Sequence, residues 1–224
     1  MEREGDNGKS EEAVWACERR EMVDVLKSYG VRDPRILAAM GKVRRHLFIP
    51  EDCRLHGDAY ADHARPIGQA QTISQPYIVA YMTAMLRLKP GESVLEIGAG
   101  SGYQAAVLAE MGARVFSVEI IPELAQHARD VLAREGYADR VQVLTGNGRR
   151  GWPEKAPFDA IVGACAAGEE PKALLDQLKE GGRFIFPVGD WRMQRLVFLQ
   201  KKEGRVIRKV DLPVQFVPLV KGAG

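Results

Sequence analysis

The chain has 224 residues, of which 46% are hydrophobic, and it carries 32 basic and 30 acidic residues for a net charge of +2. The near-even charge balance gives no reason to expect nucleic acid or another polyanion as a partner. The length suits one large domain with a substantial core. The basic doublets along the chain are interpreted as solvated surface: Arg44-Arg45, Arg149-Arg150 and Lys201-Lys202.

The cysteines and histidines bear on metal binding and on the cellular compartment. Cys17, Cys53 and Cys165 form no CxxC pair, and the four histidines form no tight cluster with them, so no metal site is predicted. Unpaired cysteines suit a reducing compartment. The polar N-terminus resembles neither a signal peptide nor a membrane span. We therefore expect a cytoplasmic protein without membrane contact, and a monomer, since no large apolar surface stripe is evident.

The first third of the chain predicts helices followed by a loop. A charged helix is expected over 11–28. A second begins at Pro34, because Asp33 is a favourable N-cap and proline suits the first helical position. Residues 57–74 lack strong periodicity and predict an extended loop that carries polar side chains.

From Pro76 onward, strands and helices alternate. The expected helices are 76–87, 103–111, 122–135 and 171–179. The expected strands are 93–97, 114–118, 141–145, 158–163 and 183–188. This order predicts a Rossmann-like α/β fold, with a doubly wound and mostly parallel sheet. Two further strands, near 194–200 and 206–217, should form an antiparallel edge hairpin that turns at Gly204.

These elements predict one domain preceded by a short tail. Residues 1–12 are expected to be disordered, and residues 13–224 to form the domain. Within it, 13–75 would supply N-terminal helices and a substrate loop. The section 76–224 would supply the cofactor-binding core and the C-terminal strands.

A glycine-rich turn follows the first core strand. It contains Gly98, Gly100, Ser101 and Gly102 directly after Glu96, and a helix follows it. Such a loop lets backbone N–H groups approach a nucleotide-type ligand, but its G-x-G-x-G spacing differs from the G-x-G-x-x-G of dinucleotide sites. The Glu96 carboxylate would repel a pyrophosphate and attract a cation. The turn therefore favours S-adenosylmethionine, which carries sulfonium and ammonium groups, although glycines alone would also permit an ordinary tight turn.

Two later strand ends supply further candidate cofactor contacts, because ligands of open α/β sheets lie at the carboxyl ends of strands. Glu119 ends the second core strand, where a carboxylate can accept both hydroxyls of a ribose. Asn147 and Gly148 follow the third. The Asn147 amide oxygen suits an adenine amino group, but asparagine between glycines is equally typical of a plain turn.

Eight segments resemble the protein-L-isoaspartate O-methyltransferase family, and together they cover nearly everything except the first dozen or so residues. The glycine loop alone marks only the methyltransferase class, whereas Gln71–Ser74 and Phe216–Val220 indicate this family. The segments are Arg44–Pro50, Pro66–Gly68, Gln71–Pro76, Glu96–Gln104, Ser117–Pro122, Ala156–Ile161, Leu178–Val188 and Phe216–Val220.

The resemblance implies a repair enzyme that methylates isoaspartyl residues in damaged proteins and peptides, with S-adenosylhomocysteine as product. Ser74 matches the serine that the family places in the active site; without the family, it is more simply a helix N-cap. An ionised carboxylate acceptor needs no general base, so the absence of an obvious histidine–acid pair is consistent. The implied substrate-binding residues are Thr72, Ile73, Ser74, Ala164, Val214 and Val217.

Three departures from the family pattern leave alternatives open. Asn147 replaces an aspartate, Ala70 stands where glycine is frequent, and residues 163–168 lack the usual threonine and prolines, which predicts a more flexible loop. A relative with a different methyl acceptor, or with no catalysis, therefore stays open. An NAD-dependent oxidoreductase is disfavoured by the glycine spacing and by Glu96. Cys165 lacks an activating histidine nearby in sequence and is interpreted as a small buried thiol.

Overall fold

The computed structural model describes residues 4–220, with side chains from residue 11 onward. A seven-stranded sheet lies at its centre. The α-helices are α1 (Glu4–Ser28), α2 (Pro34–Lys42), α3 (Pro76–Leu86), α4 (Tyr103–Glu110), α5 (Pro122–Arg134) and α6 (Lys172–Leu175). The strands are β1 (Arg65–Pro66), β2 (Thr72–Ile73), β3 (Ser93–Ile97), β4 (Arg114–Glu119), β5 (Val141–Thr145), β6 (Phe158–Gly163), β7 (Leu178–Gly189), β8 (Gln194–Lys202) and β9 (Arg205–Val214).

The strand order is β5-β4-β3-β6-β7-β8-β9, parallel from β5 to β7 and antiparallel at the β8 and β9 edge. The central strand β3 is buried along its whole length. Burial on both faces is typical of the central strands of a parallel sheet. The predicted fold class, including the antiparallel C-terminal hairpin, is confirmed.

Apolar side chains of β3 pack into two separate cores, one on each face of the sheet, because successive residues of a strand point to opposite faces. Val94 belongs to the larger core, which also takes the buried faces of α1 to α5. Leu95 and Ile97 belong to the second core, where Phe184 and Phe186 of β7 stack with ring centroids 5.4 Å apart. The sheet is thus held from both sides, which fixes the carboxyl ends of its strands relative to one another.

The first helix begins earlier than predicted. Helix α1 starts at Glu4, so residues 4–12 of the expected disordered tail are helical, while residues 1–3 lie outside the described residues. Each residue added to an existing helix gains a hydrogen bond without a new nucleation step. The packed part of α1, which contains the buried Trp15, Met22 and Leu26, therefore supports the polar extension.

The predicted helix over 171–179 is wrong in its second half. Helix α6 ends at Leu175, and β7 begins at Leu178, which pairs with Phe158 of β6. Between them, the Gln177 side chain accepts the Trp152 N–H (2.8 Å) and donates to the carbonyl of Arg150 (2.7 Å). These long-range contacts outweigh the local helical preference.

The segment 57–74 is irregular, as predicted, except for a short ladder. Strands β1 and β2 pair antiparallel, with Arg65 opposite Ile73 and Pro66 opposite Thr72. This ladder places the Thr72–Ser74 segment beside the carboxyl ends of the central strands. Within residues 4–220, the helices lack the combination of length and apolar character that a membrane crossing requires.

Candidate active site

A cleft of about 860 Å³ opens at the carboxyl ends of β3, β4 and β6. We call it the cofactor cleft. The structure brings most of the predicted cofactor and substrate residues to this one place. Those that border it are Thr72, Ile73, Ser74, Glu96, Gly98, Gly100, Ser101, Glu119, Gly148, Ala164 and Val217.

The glycine loop has the left-handed backbone that its sequence predicts. Gly98, Gly100 and Gly102 have φ angles of +89°, +50° and +86°. Gly102 differs from the other two because it borders α5 and not the cleft. A Cβ atom there would lie 3.2 Å from the Leu132 side chain. Gly102 therefore allows the turn into α4, and the backbone at Gly98 and Gly100 is what faces a ligand.

Glu96 is a buried acid with one unpartnered oxygen. Its side chain is 0% exposed, its Oε2 accepts a hydrogen bond from the Ser117 hydroxyl, and its Oε1 has no partner. Burial raises the pKa of this carboxyl to about 8, a change that the Ser117 hydrogen bond opposes and the nearby Glu119 charge reinforces. A ligand cation would stabilise the ionised form. Glu96 therefore fits the positively charged part of S-adenosylmethionine.

Glu119 is anchored by the glycine loop itself. Its Oε2 accepts the Gly100 N–H at 2.8 Å, and its Oε1 accepts the Ile121 N–H at 3.0 Å. A carboxylate offers about four acceptor positions, so two remain for the hydroxyls of a ribose. The backbone contacts fix the orientation of the carboxylate before any ligand arrives.

Asn147 has a turn role in the structure. Its Oδ1 accepts the Arg149 N–H at 3.0 Å and caps a short 3₁₀ helix, Gly148–Arg150. Asn147 does not border the cofactor cleft, whereas Gly148 does. A Cβ atom on Gly148 would lie 2.6 Å from the Ile97 side chain, so the backbone closely approaches β3 there. The proposed contact between Asn147 and adenine stays a prediction.

Asp62, and not Ser74, caps helix α3. The Asp62 Oδ1 accepts the Tyr77 N–H at 2.8 Å, and its Oδ2 accepts from the Gln75 side chain at 2.8 Å. The N-cap position is Gln75, so the alternative role of Ser74 as an N-cap is wrong. The physical reason is that a carboxylate from a distant loop supplies the capping acceptor. The Ser74 hydroxyl therefore does not cap the helix.

Arg45, expected on the surface, is fully buried. Its guanidinium donates to the carbonyls of Ala59, His63 (3.3 Å) and Ser74 (3.1 Å), and lies 5.6 Å from the centre of the Tyr103 ring. Burial lowers the pKa of this guanidinium to about 10. The expectation failed because backbone carbonyls far along the chain, and not a nearby acid, accept hydrogen bonds from its two terminal NH2 groups, while its Nε is buried without a partner among the described residues.

A groove of about 1140 Å³ adjoins the cleft and shares Thr72, Ser74, Ala164 and Val217 with it. We call it the substrate groove. Val214, which does not border the cleft, lies here together with Phe216. Cleft and groove therefore meet along the Thr72–Ser74 segment.

A histidine that borders the substrate groove pairs with an acid outside it, a contact that the sequence analysis did not predict. His63 borders the groove, and its Nε2 lies 2.7 Å from the Asp58 Oδ1. The second Asp58 oxygen pairs with Arg65. Both partners lie in the irregular segment before β2, where no periodic pattern indicates which side chains meet.

Backbone hydrogen bonds tie the loop after β6 to its neighbours. The Ala164, Ala166 and Ala167 N–H groups donate to the carbonyls of Ile97, Val217 and Pro187 at 2.8 to 3.0 Å. The predicted greater flexibility of this loop rested on its missing prolines, whereas these long-range backbone hydrogen bonds restrain it. Cys165 is buried, as predicted, and burial raises the pKa of its thiol to about 12. A neutral, enclosed thiol is a poor nucleophile.

Comparison with known proteins agrees with this geometry. Residues 17–224 match the model of the family described as protein-L-isoaspartate(D-aspartate) O-methyltransferase. The chain belongs to this family. Among its relatives, protein-L-isoaspartate O-methyltransferases of Methanoculleus marisnigri and Gloeobacter violaceus are 51% and 52% identical to it. The aligned regions cover 91% of the chain and 91% of the first relative, and 89% and 97% for the second.

Solved structures of the protein-L-isoaspartate O-methyltransferase family share the fold. One is 30% identical, with a TM-score of 0.83 over 92% of this chain and 67% of that chain. A second, from Plasmodium falciparum and in complex with S-adenosyl-L-homocysteine, is 27% identical, with a TM-score of 0.79 over 91% of this chain and 99% of that chain. The family predicted from the sequence is therefore confirmed.

Proposed function

We propose that this chain transfers a methyl group from S-adenosylmethionine to the free α-carboxylate of L-isoaspartyl residues in damaged proteins and peptides. The observation that carries the proposal is the position of Ser74, which borders both the cofactor cleft and the substrate groove. A methyl donor in the cleft and a peptide in the groove would meet there. Membership of the family supports the same activity.

The proposed cofactor contacts divide between two acids and the glycine loop. When bound, S-adenosylmethionine supplies an electrophilic methyl group whose C–S bond breaks as a C–O bond to the acceptor carboxylate forms. Glu119 would accept the ribose hydroxyls, which its fixed orientation supports, and Glu96 would face positive charge through its unpartnered Oε1. The backbone at Gly98 and Gly100 leaves room for close approach.

The remaining chemistry is orientation. The acceptor carboxylate is ionised at neutral pH and needs no general base. The Ser74 hydroxyl would donate one hydrogen bond that aims the carboxylate without neutralising it. Thr72 and Ile73 would hold the peptide backbone on one side, and Val214, Val217 and Ala164 on the other. An isoaspartyl residue adds a methylene to the backbone, so backbone shape would distinguish it from aspartate.

Labelled methyl transfer to two peptides of identical composition tests the proposal. One peptide carries an isoaspartyl residue and the other an aspartyl residue at the same position. We expect base-labile label on the isoaspartyl peptide alone, since a methyl ester hydrolyses readily. Calorimetric binding of S-adenosylhomocysteine with no label on either peptide would refute the assigned methyl acceptor.

The role of Ser74 is tested with Ser74→Ala. We expect turnover to fall at least tenfold while the affinity for S-adenosylhomocysteine stays within about twofold, because a hydrogen bond to a charged group contributes about 1.5–3 kcal/mol. Ser28→Ala is the matched control, because Ser28 lies at the exposed end of α1 and its hydroxyl donates to the Val25 carbonyl of the same helix. Equal losses of turnover and cofactor affinity in Ser74→Ala would mean that Ser74 supports the fold and does not contact the substrate.

A monomer in the cytoplasm is the accompanying proposal. Free thiols at Cys17, Cys53 and Cys165 support a reducing compartment. Light scattering on the purified chain should give the mass of one subunit, and a concentration-independent dimer would contradict the monomer. Localisation of a tagged full chain by fractionation tests the compartment.

A further inference from the structure

The loop between β7 and β8 presents two large apolar side chains to solvent. Trp191 is 80% exposed and Met193 is 69% exposed, the highest values for large hydrophobic residues in the part of the chain that the structure describes. Exposed aromatic and methionine side chains at the end of a hairpin are costly to leave in water and are typical of binding surfaces. We call Asp190–Met193 the hairpin tip.

The hairpin tip is a structured turn. The Asp190 Oδ1 accepts the N–H groups of Arg192 (2.8 Å) and Met193 (3.2 Å). Gly189 has a φ of +141°, and a Cβ atom there would lie 2.0 Å from the Met193 carbonyl oxygen, so only glycine fits. The Arg192 guanidinium lies 4.9 Å from the centre of the Trp191 ring system. The turn therefore holds the apolar side chains in a defined place.

The residues on either side of the hairpin tip, Gly189 and Gln194, are hydrogen-bonded to segments that carry residues of the groove wall. On one side, the Gly189 N–H donates to the Ala167 carbonyl at 2.9 Å, in the loop that also carries Ala164. On the other side, the Gln194 side chain accepts the Phe216 N–H (2.7 Å) and donates to its carbonyl (3.1 Å). Gln194 also lies opposite Val214 in the sheet. The hairpin tip is thus anchored at both ends to segments that carry residues of the groove wall.

We propose that the hairpin tip binds an apolar side chain of the substrate protein that flanks the isoaspartyl residue. This inference rests on the proposed function. An extended peptide advances about 3.3 Å per residue, so a chain leaving the groove passes such a wall within a few residues. Trp191 supplies a large apolar face, and Met193 adapts to side chains of different shape. The enzyme would then prefer substrates with an apolar neighbour at one flanking position.

Steady-state kinetics on a series of peptides test the preference for an apolar flanking residue. Each isoaspartyl peptide carries a single leucine at a different flanking position, and the parent peptide carries serine throughout. For wild type, one leucine position should lower KM, and Trp191→Ser should raise KM for that peptide about fivefold or more without changing kcat. Trp191→Phe should keep most of the preference. Leu55→Ser, which removes an exposed leucine that borders neither cleft nor groove, is the control.

A binding measurement gives a second readout. Tryptophan fluorescence of the complex with S-adenosylhomocysteine should shift when the preferred leucine peptide is added, and this shift should be absent in Trp191→Phe. Equal kcat/KM for all peptides in wild type and Trp191→Ser would overturn the inference, as would equal losses on the leucine and serine peptides. A change from dimer to monomer in Trp191→Ser with unchanged KM would assign the surface to a second copy and also overturn it. Failure of wild type to methylate any isoaspartyl peptide would instead contradict the proposed function itself.

Discussion

Replacing Glu96 by glutamine should remove a pH-dependent penalty on the folded protein. Glu96 is fully buried, and its pKa is raised from an ordinary value of 4.5 to about 8. Between these two values, the unfolded chain has lost the proton and the folded chain has kept it. Stability must therefore fall as pH rises through this window, because the unfolded state binds fewer protons. Glutamine keeps the shape and cannot ionise.

The magnitude follows from the width of the window. At about 1.4 kcal/mol per pH unit, the contribution of Glu96 that is lost between pH 4.5 and 8 is about 5 kcal/mol. About 3 kcal/mol of this falls between pH 6 and pH 9. Relative to wild type, Glu96→Gln should therefore gain about 3 kcal/mol of unfolding free energy over that interval.

Denaturant unfolding of the cofactor-free protein at pH 6 and pH 9 measures this difference. Glu154→Gln, which changes an exposed acid, should leave the pH dependence as in wild type. A cationic ligand favours the ionised form, so binding of S-adenosylmethionine below pH 8 should also release a proton from wild type. Titration calorimetry in two buffers of different ionisation enthalpy detects that proton. Parallel stability curves for wild type and Glu96→Gln would refute the assignment of a buried, neutral Glu96.

Two further substitutions test packing and capping around the site. Gly163→Ala would place a Cβ atom 2.3 Å from the buried Phe186 ring and should cost about 1–3 kcal/mol, whereas Gly168→Ala, with no atom within 4 Å, should change the Tm little. Equal Tm values for the two variants would contradict the packing argument. Asp62→Ala removes the acceptor for the Tyr77 N–H and should cost about 1 kcal/mol in denaturant unfolding. It should also lower kcat, since the chain beside Ser74 loses its anchor; unchanged stability and kcat would show that α3 needs no cap from Asp62.

The sequence predicted the central strands well because their signals are local. Strands β5 and β6 have the predicted bounds, since each is a short stretch rich in apolar residues that lies between turn residues. The predicted start of α2 is also confirmed, because the side chain of the N-cap residue Asp33 accepts the Arg35 N–H at 2.9 Å. The C-terminal half of the predicted helix over 171–179 failed because strand pairing with β6 is a non-local interaction.

The candidate site was predictable to the extent that sheet topology determines it. Once β3 and β4 are parallel neighbours, Glu96 and Glu119 must lie at the same edge. Other features depend on contacts between segments that no local pattern relates. The Asp62 cap joins a loop to α3, and the pair of His63 with Asp58 lies inside an irregular segment. The rules of sheet topology predict where the strand ends lie, but they do not predict which hydrogen bonds and ion pairs form between loops.

Arg45 shows why such unpredicted contacts matter for the proposed chemistry. Its buried guanidinium holds the Ser74 carbonyl and lies over the ring of Tyr103, the first residue of α4 after the glycine loop. A buried cation without a hydrogen-bonded partner is costly, so the carbonyls that satisfy Arg45 are fixed in place. The segment that would orient the methyl acceptor is thereby fixed relative to the helix that follows the cofactor loop. Direct displacement requires donor and acceptor to be aligned within a narrow range, and one buried side chain joins the two halves that must supply this alignment.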